Sequence, residues 1–157
     1  MKNYGIDAHL LLRKNATGVP RYAWNLLRSM MKAPLQSDEQ VILYGHETKP
    51  AELELVDGWS WKVLRWPLAR GWTHGRLSLE MLFSPPNVLF IPGHEIPLLA
   101  PKALPIVTPV HDLAFRHIAD AYEPASRRRQ ELSVQNVIKK ATIITTPSNA
   151  TKDDLIR

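Results

Sequence analysis

The 157-residue chain contains no cysteine, which excludes a disulfide framework and a thiolate nucleophile. No apolar run reaches about 18 residues, so nothing reads as a bilayer-spanning helix. The first thirty or so residues lack the apolar core and small-residue cleavage site of a signal peptide, which makes the cytoplasm the default compartment. Asn15-Ala16-Thr17 and Asn149-Ala150-Thr151 fit the glycosylation sequon, but without an export signal both read as chance. A G-x-S-x-G elbow, a Walker loop and a G-x-G-x-x-G fingerprint are all missing, and the last absence counts against an NAD enzyme. His111, His117 and Asp120 have no tight His-x-x-x-His spacing to support them, so no metal site is expected. Internal repeats and low-complexity segments are absent too.

What is present suits one globular domain. The hydrophobic share is 45%, and the length allows a single proper core spanning residues 1–157. The formal net charge is +5, spread rather than massed. Arg127-Arg128-Arg129 is the one dense basic run, suited to a solvated helix face or an anionic partner; no nucleic-acid partner is expected.

Short β-rich apolar runs alternate with helical patterns, which predicts an α/β fold with a mainly parallel sheet between helical layers. The strands are expected at Asn3–Asp7, Val41–Gly45, Trp61–Arg65, Val88–Ile91, Ile106–Val110 and Thr142–Thr146. Ala23, Leu26, Leu27 and Met30 mark one face of a first helix, and Leu77, Met81 and Leu82 suggest a short second one. A longer helix from about Ala125 to Lys140 should turn Val134, Val137, Ile138 and Ala141 towards the sheet. Pro85, Pro86, Pro92, Pro97, Pro101, Pro105 and Pro109 make up seven of the 13 prolines, so Pro92 to Pro105 is expected to be an extended surface connection. Ser148 should cap a last helix that the sequence leaves barely two turns long, which reads as a fragment or shortened frame of something longer.

Three segments carry chemistry. The first strand leads through a loop bearing Arg13 and Lys14 to Thr17-Gly18-Val19-Pro20-Arg21-Tyr22, the start of a helix. Free N–H groups there, a glycine that lets a ligand approach and the Arg21 cation suit a phosphorylated ligand; an ordinary strand-to-helix turn is the alternative. In Val107-Thr108-Pro109-Val110-His111-Asp112-Leu113 a buried strand ends in an imidazole and a carboxylate at the sheet's carboxyl edge. The pair can exchange a proton with a hydroxyl or bond a sugar oxygen; alternatively His111 is satisfied by backbone carbonyls beside a capping Asp112. Trp66 and Trp72, in Arg65-Trp66-Pro67-Leu68-Ala69-Arg70-Gly71-Trp72, suit a membrane interface, an acceptor groove or plain packing beside a loop.

Taken in order, Gly5-Ile6-Asp7-Ala8, Thr17-Gly18-Val19-x-Arg21-Tyr22, Val107 to Leu113 and Ser148 to Leu155 resemble the N-terminal domain of a family 4 retaining glycosyltransferase with the GT-B fold. The likeness runs over essentially the whole chain. Two residues depart from the pattern: His9 stands where an Arg commonly follows Asp-Ala, and Pro20 replaces a small residue. The resemblance implies a Rossmann-like three-layer α/β/α acceptor-side domain, with the nucleotide-sugar-binding domain absent from this chain. The intact protein would be an enzyme that moves a sugar, with retention, from a nucleotide-sugar to a glycan or lipid-linked acceptor, as in polysaccharide biosynthesis. The segment alone would be inactive. The resemblance further implies His111 and Asp112 as catalytic, with Asp7, Thr17, Gly18, Arg21, Tyr22 and Ser148 binding substrate. It calls for no cofactor and no metal, and for a cytoplasmic location with peripheral contact at the inner membrane face. The competing functions are a non-catalytic binding domain of the same fold and another GT-B enzyme, such as a nucleotide-sugar epimerase.

Overall fold

The computed structural model describes residues 1–14, 17–68 and 70–156. Asn15 and Ala16 of the expected loop and first sequon, Ala69 of the tryptophan segment and Arg157 lie outside the described residues.

Six strands form: β1 (Lys2–Asp7), β2 (Glu39–Gly45), β3 (Trp59–Val63), β4 (Val88–Phe90), β5 (Ile106–Pro109) and β6 (Ile143–Thr145). They lie in the order β3-β2-β1-β4-β5-β6, and every pairing is parallel. All six expected strands are present. Among the described residues five α-helices accompany them: α1 (Val19–Met30), α2 (Ser78–Phe83), α3 (Ala114–His117), α4 (Pro124–Lys140) and α5 (Asn149–Ile156). The result is a Rossmann-like three-layer α/β/α domain.

The pleat divides the apolar residues between two cores. Ile6, Val41 and Leu43 point to one face and meet Ala23 and Leu27 of α1. Tyr44, Leu89 and Ile106 point to the other, against Met81 of α2 and Val134 and Val137 of α4. Burying a leucine such as Leu27, which is fully enclosed, contributes roughly 1.5–3 kcal/mol. Gly18 is the N-cap of α1, and Pro20 lies in its first turn, where the missing N–H costs nothing. The Ser148 hydroxyl accepts the Thr151 N–H at 3.2 Å and caps α5 as the sequence predicts.

Three helix residues depart from expectation. Met30, Leu82 and Ile138 are exposed, Ile138 by 50%. On α4 the inward stripe is centred on Val137 and Ala141, and Ile138 lies about 100° around the axis from Val137. The connection from Pro92 to Pro105 has no regular structure but is not wholly superficial, because Ile96 and Leu104 are buried in the core around Trp72 and Phe115. Among the described residues no helix is long and apolar enough to cross a membrane.

β1 has β2 on one side and β4 on the other, so the strand order reverses between β1 and β4. Parallel sheets open a crevice at such a point, outside the carboxyl ends of the strands.

Candidate ligand site at the carboxyl edge of the sheet

Residues that close off the ends of β1, β4, β5 and β6 meet at this edge. Tyr22, one turn into α1, meets His111 with the two rings nearly perpendicular and their centroids 4.8 Å apart. Its backbone N–H bonds the Gly18 carbonyl at 2.9 Å, so the glycine turn is tied to the same corner. Thr151 of α5 donates its hydroxyl to the His111 carbonyl at 3.4 Å, and Ser148 Oγ lies 3.0 Å from that hydroxyl. The glycine turn, the His-Asp segment and the start of the last helix thus share one edge of the sheet.

The two residues read as catalytic are held by the backbone. His111 Nε2 lies 2.9 Å from the Pro92 carbonyl, which can only accept, so Nε2 carries the proton and Nδ1 is the ring's other nitrogen. Asp112 Oδ1 accepts the N–H of Ala114, the first residue of α3, at 3.0 Å while remaining exposed. Gly18 has φ +60°, a conformation that favours glycine, and a Cβ built there would meet nothing within 4 Å. The turn is therefore open in front. Thr17 and Arg21 are both exposed. Arg21 lines a groove of about 610 Å³ together with Arg13, Lys14 and Lys49, a positively charged surface beside the glycine turn.

A second groove, of about 770 Å³, lies over the ends of β1 and β2 and is lined by His9, His46, Trp66, Trp72, Glu95 and Arg129 among others. Its size is that of ordinary small-molecule sites. At its base Asp7, 1% exposed, accepts from the His9 backbone N–H at 3.2 Å and lies 2.6 Å from His9 Nδ1. Burial pulls the His9 pKa down, but the Asp7 charge and hydrogen bond outweigh it, and the net shift is upward. Trp72 stands between two imidazoles, with ring centroids 5.1 Å from His9 and 6.1 Å from His46. Its indole N–H bonds the Leu64 carbonyl at 3.0 Å, and Trp66 is fixed likewise by the Arg70 carbonyl at 3.0 Å. The Trp66 ring lies so close over Gly75 that no side chain fits at that position. Burial lowers the pKa of both His46 and His94.

The backbone joins the two clusters. The Pro92 carbonyl holds His111, while Glu95, three residues on, lines the groove that contains His9. Thr108 Oγ1, fully buried, donates to the carbonyls of Ile91 and Gly93 at 2.9 and 3.0 Å and fixes the start of that segment. The sequence reading placed Asp7 among the binding residues but missed its partner His9, along with His46 and Glu95. The only available signal was a histidine two residues beyond an aspartate that ends a strand. Among the described residues, no group of three His, Cys, Asp or Glu stands close enough to hold a metal ion.

Compared with known proteins, the chain matches no family model, no curated protein and no solved structure.

Proposed function

We propose that this chain is the acceptor-side domain of a retaining glycosyltransferase, transferring a sugar from a nucleotide-sugar to a glycan or lipid-linked acceptor. The reading rests on its sequence resemblance to that family and on one structural observation. The glycine turn, through Tyr22, the His111 corner and the Ser148–Thr151 cap converge at one edge of the sheet, and the segment from Pro92 to Glu95 leads from that corner to the groove of His9 and Trp66. In this reading the acceptor lies in the groove, with a sugar face against Trp66 and hydroxyls bonded by His9, Glu95 and Arg129. His111 then faces the transferred sugar, and Gly18 with Arg21 faces the donor's diphosphate. A second domain outside these 157 residues would hold most of the donor, and no metal would be needed.

A non-catalytic binding domain is the second reading. It is favoured by the hydrogen bonds of His111 and Asp112 to the backbone, which serve structure by themselves. Nuclear magnetic resonance on the chain, titrated with an oligosaccharide panel and with nucleotide-sugars, tests the shared part. The expected result is that saccharides move the Trp66, Trp72 and His9 resonances, and that nucleotide-sugars move those of Gly18 and Arg21 weakly. Saccharides that leave the groove unmoved overturn the acceptor-side reading.

A further inference from the structure

His9 occupies an unusual position. Behind it, the buried Asp7 carboxylate has the His9 ring and backbone N–H as its hydrogen-bond partners, at 2.6 and 3.2 Å. Beside it lies the face of Trp72. Its remaining nitrogen, Nε2, makes no hydrogen bond among the described residues, and the ring lines the groove. A carboxylate this enclosed is costly unless paired with a cation, so the charged form of His9 is the one its surroundings stabilise. An aromatic face next to the ring adds to that preference. Around the same groove stand Arg13, Arg70 and Arg129 as cations, with Glu47 and Glu95 as the opposing carboxylates.

We infer that His9 is an imidazolium that receives the anionic group, carboxylate or phosphate monoester, of an acidic saccharide lying along Trp66. The inference rests on the acceptor-side reading and narrows its substrate class. Nε2–H donates to the anion, Arg129 offers a second cation, and the carboxylate of Asp7 stays below the ring to hold its charge. A neutral His9 acting as a proton acceptor would require the opposite protonation state, so the two roles differ in the sign of their pH dependence.

The charged and titratable groups facing His9 define how it responds to pH. They are Asp7 from the end of β1, Arg13 beyond the short turn that follows, His46 and Glu47 after β2, Arg70 from the loop after β3, Glu95 from the connection after β4 and Arg129 from α4. α1 lies against the same turn but directs Arg21 to the neighbouring groove. His46 is shifted downward and stays neutral where His9 is still charged.

The test is a resonance titration of the 157-residue chain with a glucuronate disaccharide, with glucose 6-phosphate, with inorganic phosphate and with the neutral disaccharide. The acidic sugars are expected to raise the His9 midpoint and to bind roughly tenfold more tightly near pH 6 than near pH 8.5. His9→Gln should remove that pH dependence. Titration of the native chain needs no variant, so the inference stays testable if His9→Gln folds poorly. The glucuronate and phosphate arms tell the two sources of charge apart, and inorganic phosphate binding alone would mean an anion site without a sugar and overturn the inference. Equal binding of neutral and acidic sugars at both pH values overturns the imidazolium role and leaves the acceptor-side reading standing. Tighter binding at the higher pH identifies His9 as a proton acceptor and also overturns the inference. Silence of the groove towards every saccharide removes both.

Discussion

Between Asp7 and His9, burial and charge pull in opposite directions, and the carboxylate wins. A histidine whose folded-state pKa exceeds its unfolded value of about 6.5 stabilises fully below that value and loses the contribution as pH rises through the folded one. His46 and His94, shifted down by burial, act in the other window and cost stability as pH falls below about 6.5. The fall in melting temperature above that point therefore belongs to His9. Melts of the native chain and of His9→Gln across neutral to mildly alkaline pH should converge as pH rises, with the variant flat; parallel curves would show that Asp7 leaves the ring's charge unaffected. At Gly18 the strain lies in the backbone, since the site is open and φ is +60°. Gly18→Val should lose about 1–2 kcal/mol in chemical denaturation without any steric clash inside the domain. His111→Ala breaks a hydrogen bond to Pro92 and a contact with Tyr22, a loss of about 1–2 kcal/mol. In a two-domain enzyme under the proposed role, kcat should also fall about 10²-fold. A stability loss with unchanged kcat would leave His111 as a holding residue.

The elements were legible in the sequence wherever a local pattern sufficed. Each apolar run became a strand because it is short, β-branched or aromatic, and bounded by glycine, proline or charge. Helix faces were read less well, since a 3.6-residue period leaves the edges of the inward stripe undecided until a neighbour covers them. α4 shows this directly: Val137 is fully buried while the adjacent Ile138 is half exposed, although both were assigned to the sheet side. Val137→Ala should cost about 2 kcal/mol in urea unfolding and Ile138→Ala well under 1 kcal/mol. Equal costs would mean that α4 sits rotated from the orientation described. The short turn at His9–Leu12 had no such pattern, and it is this turn that folds His9 back onto Asp7. The segment from Pro92 to Pro105 was legible as non-helical from its prolines. Burial of Ile96 and Leu104 was not, because it depends on Trp72 and Phe115 arriving from elsewhere in the chain.

At the scale of the whole molecule, parallel pairing follows from the alternation of strands with crossovers, but strand order does not, because it depends on which distant edges meet. That β1 is central, between β2 and β4, puts Asp7 at the point where the order reverses. The candidate site is built there from residues as far apart in sequence as His9 and Arg129. This is why the sequence pointed to Gly18, Tyr22, His111 and Ser148 by their places at element ends but missed the groove beyond β1 and β2, whose lining comes from distant segments. The architecture also divides the proposed work. The described edge supplies the Trp66 ring, an aspartate-held histidine and scattered cations, which the proposal assigns to an acceptor, whereas the resemblance assigns most contacts to the nucleotide-sugar to a second domain. The isolated chain should therefore bind saccharides but transfer no sugar. Incubated with a labelled nucleotide-sugar and an oligosaccharide mixture, it should give no more labelled product than a protein-free blank. Robust turnover by these 157 residues alone would place the donor site within this sheet edge, with the basic groove of Arg13, Arg21 and Lys49 as its first location to examine.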